Sequence, residues 1–375
     1  SMTSNVNKGL EGIVAAASRL SDVQGDVGVL IYNGYNINEL AGKATFEEVI
    51  HLLHHGHLPN HKELAEFKAA LVAERELPDN VIDLIQKMPK RAAPMHVIRT
   101  AISALGCYDP DTDDSSMDNN RRKARRLIAK IPLITAYFHR ARQELPLLSP
   151  SRELSEAANF LYLLNGKPPS DEMVHTMDMC YVLHADHGMN ASTFSARVTI
   201  ATLSDMYSAI TSAIGTLKGP LHGGANEGVI KMLHEIGSLE NVDAYIHECL
   251  NQKKKIMGIG HRIYKTLDPR APHLQAMARK LSAKIGEPKW IQMSERIAEI
   301  MKTEKGLNAN VDFYSATVYY SMNIPTDLFT PIFAIARTAG WTAHVLEQLA
   351  DNRLIRPQSE YIGLNNLKFV HIEQR

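Results

Sequence analysis

An all-α fold is what this sequence predicts, and three observations carry that reading. Apolar residues recur at helical spacing along most of the chain, strand signals are confined to one stretch near the start, and short Gly/Pro turns separate the helical segments. Helices of this kind bury their apolar stripes against one another, which gives a packed multi-helix globule. At 375 residues the chain is long for one core, so two domains, or one large domain with a smaller one inserted, is the natural division. No repeat, low-complexity tract or long linker is present, so any boundary falls at a tight turn.

Taken in order, "SRLSDVQGDVGVLIYNGYNI" places Gly25-Asp26 and Asn33-Gly34 turns around the β-favouring run Val29 to Tyr32, which predicts a small hairpin. In "TFEEVIHLLHHGH" Thr45 and Glu48 form a capping box, Phe46, Val49, Ile50 and Leu53 line one face, and Gly56 stops the helix. The cluster "HLLHHGHLPNH", His51 to His61, mixes helix faces and is read as surface. Helices follow at about 61–75, 79–88 and 93–105. An acidic loop, "DPDTDD", then precedes "RRKARR" at the start of a long helix; with its countercharge adjacent and no interleaved aromatics, the run reads as a solvated face rather than a nucleic-acid surface. Further helices are expected at about 152–164, 171–187, 191–213, 224–237, 240–254, 272–285, 288–304, 312–321 and 329–350.

Lys+Arg and Asp+Glu both total 41, so no global field draws in nucleic acid or a membrane surface, and an anionic ligand must be held by local cations. Cys107, Cys180 and Cys249 are odd in number and widely spaced, which suits free, buried thiols in a reducing compartment. The start, "SMTSNVNKGLEG", lacks a signal-peptide pattern, its Ser1-Met2 reads as an addition, and no apolar run reaches the length of a membrane span. A soluble, cytoplasmic protein is expected.

Four segments set titratable residues at loop-to-helix junctions: "LHADHGMNAST" with His184, Asp186 and His187; "GPLHGGAN" with His222; "MGIGHRIYKTLDPRAP" with His261 and Arg270; and "NANVDFYSA" with Asp312. Each has a plain alternative, since His222 could sit at a glycine turn, His184 and His187 could be structural, and Asp312 could be an N-cap. The oxyanion-like "LHGG" has no G-x-S-x-G serine to serve, and neither a Walker A loop nor H-E-x-x-H occurs. Metal ligation by His184, Asp186 and His187, as in a metal-dependent phosphohydrolase, is the rival class.

In this order and spacing, those segments together with "FAIARTAGWTAHVLEQ" and "RPQSEYIG" closely resemble the citrate synthase family, short bacterial and archaeal type, and the likeness extends back to "GLEGIVAAASRLSDVQ". The resemblance implies the citrate synthase fold: a large multi-helix domain (1–221 and 319–375), a smaller helical domain (222–318) and a minor N-terminal hairpin, assembled as a homodimer. The reaction it implies is condensation of acetyl-CoA with oxaloacetate and water to citrate and CoA, with no metal and no cofactor. Its catalytic residues fall on His222, His261 and Asp312; its oxaloacetate-binding residues on His187, Arg270, Arg337 and Arg356, the last reaching across the dimer; and its CoA cradle on Gly258, Ile259, Gly260, Arg262 and Lys265. The helix after His222 would keep that imidazole neutral, as a hydrogen-bond donor. The chain departs from the family pattern at Asn33, Gly188, Ala309 and Ala336, none of them a catalytic group. The nearest branch is 2-methylcitrate synthase, which uses propionyl-CoA, and "LHADH" favours the citrate branch.

Overall fold

The computed structural model describes residues 5–375, so the expected Ser1-Met2 addition lies outside the described residues. A small antiparallel sheet opens the chain, with β1 (Ser21–Gln24) paired to β2 (Val29–Tyr32) in the register Ser21 to Tyr32, and β2 to the short β3 (Tyr35–Asn36). Both predicted turns are present, and Asn33 and Gly34 adopt positive φ in the second. Helices then follow: α1 (Ile37–Leu40), α2 (Phe46–His55), α3 (His61–Ala73), α4 (Asp79–Lys87), α5 (Pro94–Tyr108) and the long α6 (Met117–Arg142). The Thr45/Glu48 capping box forms as read from the sequence.

Next come α7 (Glu156–Asn165), α8 (Asp171–His184), α9 (Ala191–Ala201), α10 (Met206–Leu217), α11 (Ala225–Ile236) and α12 (Val242–Asn251). The last four are α13 (Ala271–Ile285), α14 (Lys289–Lys305), α15 (Val311–Ser321) and α16 (Phe329–Ala350). The fold is all-α apart from the small sheet. Helix α16 is buried on every side over Phe329–Leu346 and packs against α2, α6, α8, α9 and α10, so it is the axis of the core. No helix among the described residues is long and apolar enough to cross a membrane.

Four readings change. The single helix expected at 191–213 is two: the chain breaks at Leu203, whose φ is +65°, and Asp205 caps α10 by accepting from the Ser208 amide. The helix expected at 171–187 ends at His184. The "RRKARR" face is not simply solvated, because Lys123 is buried with Nζ donating to the carbonyls of Thr112 and Asp114, and Arg126 pairs with Asp109 and Asp111. Of the thiols, Cys180 is buried, Cys249 half-buried and Cys107 exposed.

Candidate active site

His222 sits in a turn folded back on the end of α10: its amide donates to Gly219 O, and the Gly223 amide to Leu217 O, 3.0 Å each. A Cβ on Gly223 would lie 2.6 Å from Leu217 O, so glycine is required there by close approach and not by φ. The ring Nε2 lies 2.8 Å from Ser192 Oγ, which also accepts from Trp341 Nε1 at 3.0 Å. The single Ser192 hydroxyl proton therefore has two acceptors within reach, His222 Nε2 and Asn190 Oδ1. Burial, with a lesser push from the Arg337 charge, takes the imidazole down to about 4 and keeps it neutral. The helix behind it was the expected cause; desolvation is the main one.

His261 lies on the loop between α12 and α13. Its Nδ1 accepts from the amides of Ile263 (2.9 Å) and Tyr264 (3.2 Å), so a neutral ring carries its proton on Nε2 and is a donor there. Burial first, and Arg270 second, lower it to about 4. The loop is tied to the segment leading into α15 by an antiparallel bridge in which the Gly260 amide donates to Asn308 O at 2.7 Å and the Asn310 amide to Gly258 O at 2.9 Å. Gly258 has φ +78°, and a Cβ there would strike Val229 and Phe313, so this position needs glycine twice over. The bridge does not use the Ala309 amide, so a proline at that position would forfeit neither of its two hydrogen bonds.

Asp312 is the second residue of α15, not its cap; Asn310 is the cap and accepts from the Asp312 amide at 2.9 Å. The residue is half-buried, its Oδ1 is buried with no partner, and desolvation pushes its pKa up from 3.8 to about 6 despite Arg270 nearby. This is the profile of a base held ready near neutral pH.

The cations converge. Arg270 is buried and gripped by Asp268 through two 3.0 Å hydrogen bonds, from Nε and Nη2. Burial opposes both charges, yet their pairing wins: Asp268 is held below its ordinary value and Arg270 above. Asp268 Oδ2 also accepts from the Val311 amide at 3.0 Å, which fastens the Arg270 loop to α15. Arg337, on α16, donates from Nε to His184 O at 2.8 Å, and its guanidinium stacks 4.7 Å from the Phe333 centroid. His187 is driven well down by burial and then by Arg270 and Arg337; its Nε2 lies 2.8 Å from Tyr264 OH, and its ring centroid 5.6 Å from that of His261. Thus His187, Arg270, Arg337, His261 and Asp312 form one interacting cluster, with His222 at its Arg337 side.

Arg356 is not in it. It lies on the extended, exposed segment after α16, where Nη1 donates to the carbonyl of Pro357. Of the residues expected to cradle CoA, Gly258, Ile259 and Gly260 form the bridge, while Arg262 and Lys265 are exposed beside it, Lys265 Nζ donating to Arg262 O. Sequence reasoning missed Asp268, Ser192 and Tyr264; Asp268 was signalled by its place two residues before Arg270 in "LDPR".

The rival metal set does not assemble. His184 Nδ1 is committed to Cys180 O at 2.8 Å, while Asp186 is held by Ser21 and by His344, 3.1 Å away. Among the described residues the ligand atoms that do gather are those of His51, His57 and Glu63. The surface reading of that histidine run is therefore corrected: His51 is buried, and His54, half-buried, pairs through Nε2 with Thr342 at 2.8 Å.

The family described as "Citrate synthase, C-terminal domain" matches residues 9–358. Citrate synthase 2 of Bacillus subtilis is 52% identical over 98% of this chain and 99% of its own. 2-Methylcitrate synthase 2 of Corynebacterium glutamicum is 40% identical over 100% of this chain and 99% of its own. A solved ternary complex of Thermoplasma acidophilum citrate synthase with carboxymethyl coenzyme A and oxaloacetate superposes with a TM-score of 0.94 at 34% identity, covering 100% of both chains.

Proposed function

This chain belongs to the citrate synthase family, enzymes that transfer an acyl group and make citrate, and from that premise we propose that it condenses acetyl-CoA with oxaloacetate and water, releasing citrate and CoA. The observation that carries the reading is the half-buried Asp312 carboxyl, whose buried Oδ1 has no partner, on a helix that the 258–260 bridge and Asp268 fasten to the loop of a histidine fixed as an Nε2–H donor. Asp312 takes a proton from the thioester methyl group. His222, in the tautomer whose Nε2 accepts a hydrogen bond from the Ser192 hydroxyl, presents Nδ1–H to the thioester oxygen as negative charge develops there. The resulting carbon nucleophile attacks the ketone carbon of oxaloacetate, and His261 Nε2–H protonates the new alkoxide oxygen. Water then cleaves the citryl thioester, giving citrate and the free thiol.

Arg270 and Arg337 bind the two carboxylates of oxaloacetate, helped by His187. Arg356 completes the site from a second subunit; in support, the segment that carries it leaves Tyr361, Ile362, Leu364, Leu367 and Phe369 exposed, an apolar arm suited to wrapping a partner in a homodimer. Gly258 to Gly260, Arg262 and Lys265 cradle CoA. Residues 222–318 act as a small domain that closes on the rest, excluding water until condensation is complete. The enzyme works in the cytoplasm with neither metal nor cofactor in its chemistry.

Thiol release should require both substrates, and kcat/KM should favour acetyl-CoA over propionyl-CoA. The likeness to a 2-methylcitrate synthase makes the second substrate the informative control, since one methylene is worth only about 1–3 kcal/mol of discrimination. A propionyl-CoA preference would place the chain in that branch; thiol release without oxaloacetate would overturn the condensation itself.

A further inference from the structure

The geometry points to a divalent transition-metal site, of the kind that takes zinc, built by His51, His57 and Glu63 at the turn between α2 and α3. Gly56, at φ +82°, ends α2 and reverses the chain so that the His57 ring packs edge-on to His51, 5.1 Å between centroids. One ring nitrogen from each histidine and one carboxylate oxygen of Glu63 lie within 4.8 Å of one another. His57 Nε2 and Glu63 Oε2 stand 3.1 Å apart. That is close to the separation of about 3.3 Å between two ligands on a tetrahedral ion with bonds near 2.0–2.1 Å.

The surroundings orient these groups as ligands. His51 Nδ1 faces His57 O at 2.9 Å and His57 Nδ1 faces His55 O at 3.2 Å. A carbonyl only accepts, so each Nδ1 carries the ring proton and each Nε2 keeps its lone pair, the arrangement that fixes metal-binding imidazoles. Glu63 is equally settled: its Oε1 accepts from the Asn60 amide at 3.0 Å in the α3 capping box, leaving Oε2 toward the histidines. Without an ion, His57 Nε2 and Glu63 Oε2 must share a proton, and their hydrogen bond holds His57 above its ordinary value. A metal ion takes that proton's place.

Two imidazoles and one carboxylate suit zinc, nickel or copper, not the oxygen-rich demands of magnesium or calcium. With His51 buried and His57 exposed, the fourth position opens to solvent. The three ligands come from α2, the turn and α3, so the ion would staple that turn, apart from the reacting groups.

Titrating metal-free, full-length protein with zinc chloride at pH 7.5, followed by calorimetry, tests this. One saturable ion per chain is expected, with binding weakened at pH 6 as protons compete at His57, and magnesium chloride should give no heat of binding. His57→Ala and Glu63→Gln should each weaken zinc binding by at least about tenfold, with helical circular dichroism and turnover unchanged. Glutamine retains the capping acceptor, which keeps α3 intact in the second variant. Absence of saturable binding, or binding at undiminished affinity in both variants, would overturn the site and leave His57 and Glu63 as an ordinary ion pair.

Discussion

Acidification should switch condensation off with a midpoint near pH 6, because Asp312 must be ionised to act as the base. Its carboxyl is raised from 3.8 to about 6, chiefly by burial, so ionising it inside the protein costs about 3 kcal/mol more than in water. The ionised fraction then falls from about nine-tenths at pH 7 to about one-tenth at pH 5, and kcat/KM should fall with it, tenfold per unit at the acid extreme. His222 and His261 titrate lower, at about 4, so neither produces a break at 6. Initial rates of thiol release from pH 5 to 8 give the profile, and Asp312→Asn should lower kcat by about 10² to 10⁴ while leaving oxaloacetate binding intact.

Stability offers a second readout of the same carboxyl. Its folded value lies above its unfolded one, so the folded state is favoured by this group below about pH 4 and loses that advantage as pH rises through 6. Asp312→Asn should therefore be more stable than the parent at pH 8, by up to about 3 kcal/mol in urea denaturation, with the difference shrinking toward zero near pH 4. A rate profile flat to pH 5, or a stability difference independent of pH, would refute the assignment of Asp312 as a desolvated base.

Two more substitutions probe the groups that hold the reacting side chains. Ser192→Ala removes the hydroxyl beside His222 Nε2 and the acceptor of Trp341 Nε1; kcat should fall by about ten- to a hundredfold with the KM for oxaloacetate unchanged, and a stability loss of about 1–3 kcal/mol reflects the orphaned indole. Asp268→Asn breaks a buried ion pair and should cost about 3–5 kcal/mol in denaturation while raising the KM for oxaloacetate, since Arg270 loses its anchor.

The helices were legible because their apolar stripes are regular, and the Thr45/Glu48 box and both hairpin turns formed where the residues called for them. The break after α9 was not, because "TLSD" contains neither Gly nor Pro; the signal lay in Asp205, a capping residue inside an apolar run. His222, His261, Asp312 and Arg270 stood out by their junction positions. Asp268 and Ser192 did not, since what matters is a side chain's direction toward a partner distant in sequence, as Asp268 toward Val311, 43 residues on. Nor does spacing reveal which of five histidines turn inward, and His51 and His54 do.

The bridge between 258–260 and 308–310, with Asp268 gripping both Arg270 and the Val311 amide, makes His261, Arg270 and Asp312 one prefabricated unit. Arg337, hung from His184, and His222, hung from Ser192, which Trp341 holds in turn, make another. Among the contacts that join the two are the His187–Tyr264 contact, the Lys265 amide on Gly25 O at the hairpin tip, and the Lys284–Glu172 pair between α13 and α8. Gly25 fits there because a Cβ would lie 2.2 Å from Ile263 O. The interval between the units is therefore set by side chains at that seam, Tyr264 and His187 among them, and not by the hydrogen bonds that hold each unit together.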